Sequence, residues 1–520
     1  MYTWSKPSSF QVFKYTKKWP EDSSSLILHS ARNMEVFGQI CLRDTDADFD
    51  ITSIEVSDTP SEIVAESYFT DYITYNDGVP YPDIISNKKT AHVLMNATQS
   101  IWIRFRVGEN AALGTHNINI TVHTSLGSFN FEWKLTVYSA SLPEPKNSEI
   151  GHEYFLCPFK IFPKDKHFDT PPYEPFFDYL RYDDIWWELM ANYAKTLAEM
   201  RVNSLHLPIM NLLSDSGSKR LNESEWDINF NLFDRMVEVF LSNGSFKYIS
   251  VSAIVKGVEG KTILSIDENG EISELTIYTK EADDWAKAFY SAIYEHFKEK
   301  GWLSMLRMRL QDEPHSSEFW KWSKEHCRAI MPDVVCGDPL DTHAISRELT
   351  GYINQYIPRL EVFEAGPDFY KERQRAGDEL WCYSCCYPFE MGWMNKFIDL
   401  PPIYCRLIKW ACFSHGITGY LHWGFNDWDE SLYGLHANAR FKGDGFIVYP
   451  DVENNSLLLS ARGINTIEGL QDWELLKILF KTNPDGAKAI SRRIAKAFND
   501  THADSASVEA ARAEILTLLS

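Results

Sequence analysis

The chain has 520 residues, of which 44% are hydrophobic and 24% charged, a soluble globular composition with room for two or three domains. Its formal net charge of −22 repels phosphate backbones and anionic lipid surfaces, which argues against nucleic acid and membrane partners and leaves neutral ligands open. No apolar run reaches the roughly 18 residues needed to span a bilayer, and the first residues, MYTWSKPSSFQVFKYTKKWP, lack the continuous apolar segment of a secretory signal, so a cytoplasmic location is expected.

The first 140 or so residues read as strands. In SFNFEWKLTV, Phe129, Phe131, Trp133, Leu135 and Val137 alternate with Asn130, Glu132, Lys134 and Thr136, the pattern of a half-buried strand. IWIRFRV repeats it, HNINITV follows Gly114, and SLGS offers a hairpin turn. Successive short strands of this kind predict a β-sandwich over residues 1–142. The proline-containing SASLPEPKNSEIG then reads as a linker.

From residue 150 strands and helices take turns. In TKEADDWAKAFYSAIYEHFKEKG, Trp285, Phe289, Ile293 and Phe297 make one apolar helix face and Gly301 sits at the C-terminal cap, with LSMLRMRL following as a strand. DIWWELMANYAKTLAEM leads in the same way into VNSLHLPI. The candidate strands are IGHEYFLCP, VNSLHLPI, FKYISVSAIV, LSMLRMRL, VVCGDPL, RLEVFEAG, ELWCYSCCYP and GITGYLHWGF. Eight strands alternating with helices predict a (β/α)8 TIM barrel over 150–455, and the amphipathic remainder a C-terminal helical extension, 456–520, packed on the barrel. No internal repeat or low-complexity segment interrupts it.

A barrel of this type carries its active site at the C-terminal ends of its strands. The fourth candidate strand ends in QDEP, where Asp312 and Glu313 stand side by side before Pro314. Neighbours in a regular strand face opposite ways, so two adjacent acids can serve one site only where the strand ends. Two carboxylates with separate tasks are what glycoside hydrolysis needs; a surface turn is the plainer explanation of Asp, Glu and Pro together. The 17 Trp and 25 Tyr suit a sugar cleft and a large barrel core equally well. Trp381 and Trp423 could stack on a sugar face. His152, Glu153, Asp338, Asn426 and Asp427, at other strand ends, could reach ring hydroxyls, while His206 in its apolar strand reads as a core histidine.

The nine cysteines are an odd number and suggest a reducing compartment. Cys382 and Cys385 have CxxC spacing, but Cys405 and Cys412 do not supply a matching pair, and buried small side chains are the expectation. No HExxH, phosphate loop or dinucleotide fingerprint is present, so neither metal nor cofactor is expected.

In their order along the chain, QDEP, WCYSCCYP, GYLHWGFNDW, GDGFIVYP and EGLQDWELL resemble glycoside hydrolase family 123 and its related barrel domains over roughly residues 150–480. Glu468 stands where the family pattern is usually basic, and Asp451 where a glycine is common. The resemblance implies retaining hydrolysis of terminal β-linked N-acetylgalactosamine, or a related 2-amino sugar, with the substrate's own acetamido group as nucleophile. Glu313 would then be the general acid and base, and Asp312 would hold the acetamido N–H and support an oxazolinium intermediate. Tyr383 would donate to the acetamido oxygen. The partner would be an oligosaccharide or glycoside. Two other readings stay open: a β-glycosidase with conventional carboxylates, Glu313 acting with Glu364 or Asp338, and a non-catalytic carbohydrate-binding protein.

Overall fold

A computed structural model describes residues 1–159, 177, 180–428, 432 and 441–520. The chain divides into two compact units. The first comprises residues 1–144, 389–416 and 428–520, the second residues 145–388 and 417–427.

The first unit contains the expected β-sandwich. One sheet joins Tyr2–Pro7, Met34–Arg43, Thr98–Val107, Ile63–Thr74 and Pro80–Ser86, the other Ile27–Arg32, Gly127–Ser141, Gly114–Thr124, Phe49–Ser57 and Ala91–Val93, each in that order. The alternation in Gly127–Ser141 turns Phe131, Trp133, Leu135 and Val137 inward. Trp133 meets Phe105 of the facing sheet edge-on, with ring centroids 6.4 Å apart.

Thr98–Val107 differs from expectation in being buried on both faces. Its second face, with Trp102, packs with Phe37 and Ile85 against Ala461 and Ile464 of the helix Ala461–Thr482. Arg104 on that strand is buried and reaches Glu35 at 2.7 Å. The helix Ala461–Thr482 also holds Glu468, one of the departures from the family pattern: it is buried, accepts from Ser8 Oγ at 2.5 Å and pairs with Arg512 at 3.4 Å. The other departure, Asp451, accepts from Asn87 Nδ2 at 2.9 Å.

The second unit is a closed ring of parallel strands. Among the described residues they are β1 (Gly151–Phe155), β2 (Ser204–Leu207), β3 (Tyr248–Val251), β4 (Leu306–Met308), β5 (Val335–Leu340), β6 (Gln355–Pro358), β7 (Glu379–Leu380 continuing as Cys382–Ser384) and β8 (Gly419–His422). Each pairs with its successor; β7 meets β6 through its first part and β8 through its second, and β8 pairs with β1. The helix Lys280–Glu299 between β3 and β4 buries Trp285, Phe289, Ile293 and Phe297, with Thr279 capping its start and Gly301 in the left-handed region beyond its end. The helices that follow β7 and β8 along the chain, Ile403–His415 and Ala461–Thr482, belong to the first unit.

One strand was misplaced by the sequence. The segment RLEVFEAG is not the sixth strand: residues Leu360–Glu364 are helical, and β6 is the preceding Gln355–Pro358. Val and Phe favour strands, but here they are the buried positions Val362 and Phe363 of a short helix.

Among the described residues no helix is long and apolar enough to cross a membrane.

Candidate active site

The barrel interior is filled in layers, and its lowest layer decides the role of one predicted residue. A Cβ on Gly151 would come within 2.0 Å of the Trp381 indole, and one on Gly419 within 2.1 Å. The two glycines, on neighbouring strands, make the space that this ring occupies. Trp381 is 2% exposed and fills the barrel; it offers no face to a sugar.

The next layer is polar. Arg309, continuing from β4, donates through Nη2 to Glu153 Oε1 at 2.8 Å and through Nη1 to the Gly337 carbonyl at 2.7 Å and Gln355 Oε1 at 2.8 Å. Glu153 also accepts from Ser204 and Ser250. It is wholly buried and is the counter-ion of Arg309. His206 stacks on Phe155 with centroids 4.2 Å apart, and burial lowers its pKa to about 4, which keeps it neutral as a packed histidine.

Above this layer stand Asp312 and Glu313. Regular pairing of β4 ends at Met308, and Glu313 takes φ +43°, a left-handed conformation that costs a non-glycine residue on the order of 1–2 kcal/mol. Glu313 Oε1 accepts a hydrogen bond from the Tyr383 hydroxyl of β7. Tyr383 is buried, and burial followed by the Glu313 charge holds its hydroxyl protonated, far above the usual tyrosine range. Trp423, just beyond β8, is partly buried and packs in the same cluster as Tyr383. Asp312, Glu313, Tyr383 and Trp423 therefore gather at one end of the barrel.

Asp312 is open to solvent on one side and crowded by protein on the others. Burial, then the Glu313 carboxylate, push its carboxyl up to about 7, with Arg309 opposing and Asp341 adding to the rise. Water at the open side tempers the desolvation part of that rise, whereas the repulsion from Glu313 is built into the adjacency of the two acids.

The other predicted contacts lie elsewhere. His152 alternates with Glu153, so its ring turns away from the barrel interior and lies wholly buried edge-on to Tyr154. Asn426 is buried, and its amide clasps the main chain of Cys157, accepting from N at 2.9 Å and donating to O at 3.0 Å. Asp427 follows it and is partly exposed. Asp338 is buried on the side of β5 that faces the helix Ser317–Ile330, where Trp320 Nε1 donates to it at 2.8 Å. Glu364 closes the short helix after β6. Cys385 is buried against Tyr383, Ile357 and Leu421, and among the described residues no group of three or more His, Cys, Asp or Glu side chains could hold a metal ion.

The sequence reading missed three charged groups of the site. Arg309 stands two residues after Arg307 in MLRMRL, a period of two that marks inward positions of a strand. Asp341 follows β5 directly, and His315 lies between it and Glu259, at 3.8 and 3.7 Å. Arg359 follows Pro358 at the end of β6; it pairs with Glu361, and its guanidinium lies 4.9 Å from the centre of the Tyr387 ring. Placing β6 four residues late hid Arg359 inside a supposed strand.

A cleft of about 570 Å³ opens at the other end of the barrel beside Leu306 and Val335, but Asp333 is the one acid among its lining residues.

A parallel barrel that lifts two adjacent carboxylates off the end of its fourth strand, one of them held by a tyrosine hydroxyl, is the frame of a glycoside hydrolase. The sequence pattern of "Glycoside hydrolase 123, catalytic domain" matches residues 176–479, more than half of the chain. The chain belongs to glycoside hydrolase family 123. Among solved structures it resembles a family 123 glycoside hydrolase from Clostridium perfringens, studied for glycolipid glycan hydrolysis, at 16% identity and a TM-score of 0.78 over 99% of this chain and 97% of that one. A GH10 xylanase with a bacterial Ig-like domain, from termite gut, covers 87% of this chain and 100% of its own at 11% identity and a TM-score of 0.37. No curated protein sequence matches the chain.

Proposed function

We propose that this hydrolase cleaves terminal β-linked N-acetylgalactosamine, or a closely related 2-acetamido sugar, with retention and with the acetamido oxygen of the substrate as nucleophile. The adjacency of Asp312 and Glu313 at the end of β4 carries this reading. Two acids on consecutive residues reach the same side of a bound sugar, one near the 2-substituent and one near the leaving oxygen, which suits support of a neighbouring group plus proton transfer. Of the acids predicted on other strands, Glu153 is the counter-ion of Arg309 and Asp338 accepts from three N–H groups, which takes both away from a nucleophile's task. Glu313 is the general acid and then base, Asp312 receives the acetamido N–H, and Trp423 is the platform for the sugar's apolar face. Tyr383, which donates to Glu313, is the donor placed to reach the acetamido oxygen. The glycolipid glycans of the Clostridium perfringens enzyme's study suggest a glycan-borne rather than a free disaccharide substrate.

The test is a panel of aryl β-glycosides. The β-N-acetylgalactosaminide is turned over, the β-galactoside and the free-amine β-galactosaminide are not, and a thiazoline mimic of the oxazolinium inhibits. Turnover of the β-galactoside with no inhibition by the thiazoline would transfer the chemistry to enzyme carboxylates alone.

A further inference from the structure

We infer that Asp338 is a positioning residue for the catalytic pair: from the outer side of the barrel wall it holds the main chain just ahead of Asp312 and Glu313 and so fixes the turn that presents both to the cleft. The inference rests on the proposed roles of those two acids.

Where β4 runs past its last regular pair, its N–H groups leave the ladder, and buried N–H groups need acceptors. Arg309 N still reaches the Val251 carbonyl of β3 at 3.0 Å. The next two, Leu310 N and Gln311 N, donate instead to Asp338 Oδ2, at 2.9 and 3.3 Å. The Trp320 indole N–H donates to the same oxygen at 2.8 Å, tying it to the helix that begins after the turn. One side-chain atom thus stands in for the strand carbonyl that β5 does not offer and grips the chain immediately before Asp312.

The turn is gripped on both flanks from the loop that follows β3. The Gln311 side chain donates to the carbonyls of Gly257 and Val258, both at 3.0 Å, and His315 N donates to Val258 O at 3.0 Å. Between these two anchors lies Glu313 with its left-handed φ of +43°. A strained conformation of this kind persists only where its surroundings over-determine it. Asp338 is 1% exposed and sits on the helix side of the wall, so it acts on the reaction through this turn and touches no substrate.

The experiment compares Asp338→Asn, Asp338→Ala and Asp338→Ser with Glu313→Gln as reference, on a β-N-acetylgalactosaminide whose poor leaving group needs protonation, with folding followed by circular dichroism. Asparagine keeps one oxygen for the three N–H donors, so Asp338→Asn should keep kcat within about threefold. Asp338→Ala removes the acceptor, and its kcat should fall at least thirtyfold while KM moves less than threefold. If the alanine variant does not fold, Asp338→Ser, whose short side chain cannot reach all three donors, should show the same split at tenfold or more. A wild-type kcat in whichever of these two variants folds, or equal losses in Asp338→Asn and Asp338→Ala, would overturn the inference while Glu313→Gln stays inactive. If Glu313→Gln were itself as active as the wild type, the reading of the pair would fail, and this inference with it.

Discussion

Glu313→Gln should lower hydrolysis of substrates with poor leaving groups by about two to four orders of magnitude. The amide keeps the shape of the side chain and still offers an oxygen to the Tyr383 hydroxyl, so the site stays assembled while the transferable proton is lost. Aryl leaving groups that depart without a proton should suffer much less. Steady-state kinetics on a series of aryl glycosides of falling leaving-group pKa checks this, and a uniform loss along the series would remove Glu313 from the acid's role.

Asp312→Asn gives the complementary pattern. On the proposed mechanism its charge is needed when the acetamido group attacks, whatever leaves, so the loss should be on the order of 2–4 kcal/mol of transition-state stabilisation and should persist with activated aryl groups. It also carries a pH signature. The carboxyl is pushed up to about 7, by burial first and the Glu313 charge second. A raised carboxylate pKa means that the charge is present above that value and lost as the pH falls through it. The wild type should therefore lose kcat/KM on the acid side with an apparent pKa of about 7, and Asp312→Asn should lose that limb. Azide should not restore the variant, since what is missing is support for a nucleophile the substrate already carries. Rescue by azide as a glycosyl azide would mark Asp312 as an enzyme nucleophile instead.

The parts of this structure that follow a repeating rule were legible in the sequence. Gly127–Ser141 is half-buried, and its alternation shows it; seven of the eight barrel strands stand out as apolar runs, six of them after helices. Asp312 and Glu313 stand out in the sequence because adjacency at a strand end is a local feature, and regular pairing of β4 does end before them. What depended on distant partners was not legible. Arg104 in IWIRFRV reads as a solvent-facing residue, yet Glu35 and the cover from Ala461 and Ile464 bury its strand on that side. Trp381 reads in the sequence as a barrel filler that could also be a platform, and Gly151 and Gly419 beneath its ring decide for the filler. For Asp338 the signal is local: in VCGDPL the inward position is Gly337, against which Arg309 lies, so the period of two sends Asp338 outward. Glu153 has no local mark of its role, because Arg309, its counter-ion, lies more than a hundred and fifty residues away in sequence.

The acetamido group as nucleophile is the central claim, and fluorination of the substrate's N-acetyl group tests it most directly. Each fluorine withdraws electron density from the carbonyl oxygen with little change in size, so kcat/KM for the aryl β-N-acetylgalactosaminide should fall steeply from acetyl through mono- and difluoro- to trifluoroacetyl. A rate independent of the number of fluorines would contradict participation by the substrate and require a nucleophile from the enzyme.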